Sequence, residues 1–162
     1  DLVPGGATSM NLAVVEGADV LMDRPERRAL IVLSDGYDTT QTVSVDQAVD
    51  YARRLDVRVY TIGIFGALSG DLRGRRTFDM INPGEDSLRS FADGTGGRSI
   101  ILDSLGELLS AYEDIANELK SQYALAYRPA NPASAGEWRE IEVRADGADE
   151  VRTKPGYYGG QS

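Results

Sequence analysis

The chain has 162 residues, 41% of them hydrophobic and 27% charged, the balance of one globular domain long enough to bury a sizeable core. Seventeen basic against 26 acidic residues give a net charge of −9, which argues against nucleic acid or an anionic membrane as partner and tolerates divalent cations. No apolar run approaches the ~20 residues of a membrane span, and the lack of cysteine excludes disulfides and thiolate chemistry.

Pro4-Gly5-Gly6-Ala7-Thr8 opens the first expected helix. Its glycines permit a tight loop, and Thr8 is placed to cap the orphan amides of a helix over residues 9–22. In Ala29-Leu30-Ile31-Val32-Leu33-Ser34-Asp35-Gly36, five apolar residues then deliver the Asp35 carboxylate to a glycine turn. Such a run reads as a strand covered on both faces inside a parallel sheet, and ligand crevices in those folds lie outside the carboxyl ends of the strands. Ser34-Asp35-Gly36 is equally ordinary turn chemistry, so these residues alone leave Asp35 divided between ligand and turn.

Ser44 with Gln47 forms a capping box ahead of Val45, Ala48, Val49, Ala52 and Leu55, which keep helical spacing, and residues 57–64 form the next strand. Residues 66–84 carry Arg73, Arg75 and Arg76 among glycines and read as an exposed excursion, either solvated or aimed at an acidic partner. A helix covers residues 86–90, and residues 94–102 run from a glycine turn into a strand. Ser104 with Glu107 repeats the capping box, and Leu105, Leu108, Leu109, Tyr112, Ile115, Ala116 and Leu119 form one stripe expected to pack on the sheet. Strand and helix alternate up to this point, as in a parallel sheet with crossover helices.

After Leu119 the pattern changes: Tyr123, Leu125 and Tyr127, then Ile141, Val143 and Ala145, alternate with a period of two around a turn-rich segment. The fold expected is therefore α/β, a Rossmann-like three-layer parallel sheet flanked by helices, with a carboxyl-terminal antiparallel β extension. The division is residues 1–121 for the α/β part and 122–162 for a hairpin extension that docks as an edge on the same core.

A Gly-Gly-x-Thr-type loop entering a helix, followed by a buried strand ending Ser34-Asp35-Gly36, resembles the second and third metal-contact motifs of the von Willebrand factor type A domain. Residues 57–64 and 94–102 continue the resemblance, and Tyr123-Ala124-Leu125-Ala126-Tyr127, Trp138-Arg139-Glu140-Ile141 and Lys154-Pro155-Gly156-Tyr157-Tyr158 are similar to the tail of a bacterial subgroup. The family's first motif, Asp-x-Ser-x-Ser, is absent, and Asp86-Ser87-Leu88-Arg89-Ser90 has the wrong spacing for it. The chain thus resembles the carboxyl-terminal portion of such a domain, with the strand at residues 29–33 expected as a bare edge open to self-association.

The resemblance implies metal-dependent protein binding in a bacterial, extracytoplasmic or secreted setting. Mg²⁺ or Ca²⁺ would take a hydroxyl from Thr8 and a carboxylate from Asp35, with Ser34, Gly36, Tyr37 and Asp38 shaping the rim, and a protein partner would offer an acidic side chain. Two ligands are too few for a hard cation, so binding by this chain alone is expected to be weak or absent. A structural or assembly module without a metal site is the alternative. A metal-dependent hydrolase using Asp35 and Asp38 is a third, but no enzyme is expected. Histidine and cysteine are missing, as are a Gly-x-Ser-x-Gly elbow and both phosphate-binding fingerprints.

Overall fold

A computed structural model describes residues 7–65, 82–148 and 151–160. In chain order these residues form α1 (Met10–Leu21), β1 (Arg28–Ser34), α2 (Val45–Arg54), β2 (Val57–Ile64), α3 (Pro83–Thr95), β3 (Ser99–Leu102), a 3₁₀ turn (Leu105–Glu107), α4 (Leu108–Lys120), β4 (Trp138–Glu140) and β5 (Gly156–Tyr158). Among the described residues β1, β2 and β3 make a parallel sheet in that order, and β4 and β5 an antiparallel pair. This is the α/β class that the alternation of elements requires.

The period of two in the strands sorts their side chains into two cores. Val57 and Val59 of β2, with Leu30 and Val32 of β1, face α1, α2 and α3 and pack on Val14, Ala18, Val49, Leu88 and Phe91. Tyr60 and Ile62 of β2, with Ala29 and Ile31 of β1, face α4 and pack on Ala111 and Ile115. The layers are therefore three helices, the sheet, and α4. Register runs from Arg28 opposite Val57 to Ser34 opposite Gly63, and from Thr61 opposite Ser99 to Ile64 opposite Leu102.

The capping box on α2 forms as expected: the Gln47 amide donates to Ser44 Oγ at 3.2 Å, and the Ser44 amide donates to Gln47 Oε1 at 2.9 Å. Four other expectations need correction. β1 is covered on both faces, yet none of its residues is fully buried and Leu33 is 44% exposed, because β1 pairs on one side only among the described residues. Ser104 caps no backbone amide; its hydroxyl donates to Glu107 Oε1 at 3.1 Å, and a 3₁₀ turn intervenes before α4.

That turn has three residues per turn in place of 3.6, which takes Leu105 out of the angular phase of the following helix. Within α4 the face that packs is Leu108, Ala111, Ile115 and Leu119, while Leu109 and Tyr112 are exposed, Leu109 at 70%, as is Leu105 ahead of it.

The expected strand at Tyr123, Leu125 and Tyr127 does not form, and Tyr123 is 92% exposed: alternation makes a strand only where a neighbouring strand supplies the ladder. What docks instead is the β4–β5 pair. The Trp138 and Tyr158 rings lie 4.9 Å apart, the Arg53 and Arg54 guanidiniums of α2 cover them at 4.9 and 4.3 Å, and the Tyr158 hydroxyl donates to Asp50. Residues 66–81 of the arginine-bearing excursion lie outside the described residues.

Candidate functional site at the carboxyl ends of the strands

β1 delivers its last residue, Ser34, into a turn built from its own side chains. Ser34 Oγ accepts the Gly36 amide at 3.0 Å, and Asp35 Oδ1 accepts the Tyr37 amide at 3.2 Å, the local bonding that lets Ser and Asp replace a ladder. Gly36 has φ +79°, and a Cβ there would collide with the Gly84 carbonyl, so glycine is required by conformation and by space. Across this contact the Tyr37 hydroxyl donates to Asn82 Oδ1 at 3.1 Å. The same oxygen caps α3 by accepting the Gly84 amide at 3.0 Å and the Glu85 amide at 3.4 Å.

Asp38 holds the turn to α1. Its Oδ1 accepts the Thr40 amide at 2.9 Å, the Thr40 hydroxyl at 2.8 Å and the Gln41 amide at 3.0 Å, while Oδ2 accepts the Asn11 amide at 2.8 Å. Partial burial pushes this carboxyl up; the bonds from Asn11, Thr40 and Gln41 outweigh that and hold it below the ordinary aspartate value. The expected role of Thr8 as helix cap is thereby corrected: α1 starts after Ser9, which makes no side-chain cap, and the orphan amide of Asn11 is satisfied by Asp38 from a loop distant in sequence.

Thr8 is nevertheless brought to the same loop cluster. Its amide donates to Thr39 Oγ1 at 2.8 Å, and the Thr39 amide donates to the Thr8 carbonyl at 2.9 Å. These bonds use its backbone and leave its hydroxyl without a partner among the described residues. No hydrogen bond joins Thr8 to Asp35.

The two carboxylates of this turn therefore differ. Asp38 is half-buried and saturated, whereas Asp35 is exposed and accepts one long hydrogen bond. Asp35 and the Thr8 hydroxyl are the donors at this rim open to a ligand. A hard cation needs six or more oxygens, and among the described residues no group of three or more Asp, Glu, His or Cys side chains could hold a metal. The described residues do not by themselves fit Mg²⁺ or Ca²⁺.

Sequence reasoning missed Asp38 as a cap, Asn82 as the anchor of Tyr37, and Asn11, which is 5% exposed and donates from Nδ2 to the Val43 carbonyl at 2.8 Å. Asp38-Thr39-Thr40 carried a turn signal, but nothing local pointed it at α1.

No family model matches the chain, and no curated protein matches it. Among solved structures, an uncharacterised membrane-spanning protein from Vibrio fischeri is similar over 61% of this chain and 50% of its own, with 28% identity and a TM-score of 0.47. The conserved hypothetical protein BatB from Bacteroides thetaiotaomicron is similar over 68% of this chain and 60% of its own, at 16% identity and a TM-score of 0.45. An aerotolerance-related membrane protein from Bacteroides fragilis NCTC 9343 is similar over 75% of this chain and 63% of its own, at 21% identity and a TM-score of 0.52, and this likeness shows a shared fold. The chain thus spans between 50% and 63% of the lengths of the solved proteins that it resembles.

Proposed function

We propose that the chain is a protein-interaction or assembly module of the von Willebrand factor type A kind, binding through the loops at the carboxyl ends of its parallel strands. The observation that carries this reading is the contrast between Asp38 and Asp35: the fold spends one carboxylate entirely on structure and leaves the other, three residues earlier, at an exposed rim. In its metal-dependent form the reading has Asp35 and the Thr8 hydroxyl contribute oxygens to a divalent cation, whose remaining donors come from outside the described residues and from an acidic side chain of the partner.

The test is thermal unfolding of the chain with added MgCl₂ or CaCl₂. A rise in the melting midpoint that Asp35→Ala removes supports cation binding at this rim; an unchanged midpoint in both proteins counts against it.

A second reading, assembly without metal, is favoured by β1, which is apolar on both faces and pairs on one side only among the described residues. Sedimentation across a concentration series distinguishes it: association unaffected by EDTA and weakened by Leu33→Lys supports assembly through this edge. A monomer at every concentration overturns it.

A further inference from the structure

The main chain of β1 can be followed group by group. In a parallel pair, successive residues of a strand alternate between turning N–H and C=O towards one neighbour and turning them away from it. The Thr61 amide donates to the Arg98 carbonyl on the β3 side, so the odd-numbered residues of β2 serve β3 and the even-numbered ones serve β1. With Ile31 opposite Tyr60 and Leu33 opposite Ile62, it is Leu30 and Val32 that take those bonds. Ala29, Ile31 and Leu33 therefore turn their N–H and C=O groups to the other side, where no strand meets them among the described residues. Such a row is a template for one more strand.

The template is complementary to itself. Ile31 is the middle residue of β1 and the middle of the outward row. A second copy of β1, antiparallel and related by a two-fold axis at Ile31, sets Ile31 opposite Ile31 and Ala29 opposite Leu33, so that every outward N–H meets an outward C=O. A shift of one residue would set the outward groups against residues that turn theirs away. A shift of two would leave Leu33 or Ala29 opposite a residue beyond the strand.

Side chains and charges agree with that register. Opposed residues of an antiparallel pair share a face, so Ala29 and Ile31, which face α4, meet Leu33 and Ile31 of the second copy, and Leu33 loses its 44% exposure. One step past each end of β1, Arg27 stands opposite Asp35 of the second copy, and both residues are exposed in the single chain. A copy added parallel and in register would set like charges together instead.

We propose that the occupant of this edge is β1 of a second copy of the chain, paired antiparallel about Ile31, with Arg27 of each copy set against Asp35 of the other. The proposal rests on the reading of β1 as an assembly edge and names its partner. It gives Asp35 a guanidinium to meet, so the dimer withstands EDTA.

The chain has no cysteine, so introduced thiols are the only ones present. Ala29→Cys and Leu33→Cys chains are prepared separately, mixed in EDTA and oxidised with diamide. The proposed register puts positions 29 and 33 of opposite copies ~5.5 Å apart between Cα atoms, within reach of a disulfide. Two copies of position 29 stand four residues apart, ~14 Å along the strand. The mixture gives a crosslinked dimer, each variant alone gives none, and Ala29→Cys mixed with Leu109→Cys, a thiol on the exposed flank of α4, gives none. Sedimentation of charge-reversed chains is the second measurement and needs no introduced thiol. Arg27→Glu and Asp35→Arg each weaken dimerisation about tenfold, since each sets like charges together twice, and the double variant returns to within about threefold of wild type. If Ale29→Cys crosslinks alone, if the mixture crosslinks no better than its control, or if the double charge variant stays as weak as the single ones, the proposal is overturned. Assembly through the edge itself still stands in those cases where Leu33→Lys weakens association. A monomer at every concentration overturns both.

Discussion

Replacing Asp38 with alanine removes four accepted hydrogen bonds together: the Asn11 amide that starts α1, and the Thr40 amide, Thr40 hydroxyl and Gln41 amide that shape the turn. Loss of a helix cap costs about 1 kcal/mol and each further charged-acceptor bond a comparable amount after water replaces it in part, so the expected loss is ~2–4 kcal/mol. The pH dependence has a definite sign. The native carboxyl titrates below its unfolded value because the bonds outweigh partial burial, so its stabilisation is complete above about pH 4–5 and is lost as pH falls through the native value. Urea unfolding followed by circular dichroism should show a large gap between wild type and Asp38→Ala at neutral pH, narrowing in acid. Asp35→Ala, which removes one 3.2 Å bond at an exposed site, should stay within ~0.5 kcal/mol of wild type. A loss in Asp38→Ala no larger than that of Asp35→Ala would refute the division of labour between the two carboxylates.

Gly36→Ala should cost ~2 kcal/mol or more in the same assay, since it combines φ +79° with a collision against the Gly84 carbonyl; a neutral result would show that the turn and α3 do not touch. On α4, Ile115→Ala should cost about 2–5 kcal/mol and Leu109→Ala less than ~0.5 kcal/mol. Equal losses would mean that the helix is rotated towards the stripe read from the sequence. Removing residues 123–162 should lower the thermal midpoint through loss of Trp138 and Tyr158 from α2, and an unchanged melting curve would make the tail an independent appendage.

The parts that could be read from the sequence are those whose causes are local. α2 has its cap, its capping partner and its apolar spacing within one short segment, and all of them form. The central β2 is apolar on both faces and is buried on both. The misreadings arise where the cause lies elsewhere in the chain. The Asn11 amide of α1 is satisfied by Asp38, 27 residues on, and the face of α4 is set by the side chains of the sheet on which Ala111 and Ile115 pack. Tyr123, Leu125 and Tyr127 alternate as a strand would, but pairing is a property of two segments, and periodicity describes one. At the site, the strand-to-glycine transition located Asp35. That Asp38 is saturated and Asp35 is not required the fold.

The abutment of Gly36 on Gly84 also has a mechanical meaning. Two main chains meet there with no side chain between them, so no rotamer change can cushion a displacement of the turn. A displacement that presses the turn inward therefore bears directly on the first turn of α3. One turn further along that helix, the Leu88 carbonyl accepts the Thr61 hydroxyl of the central strand at 3.1 Å. The turn is thus linked to the middle of the sheet through two contacts, Gly36 against Gly84 and the Leu88 carbonyl with Thr61.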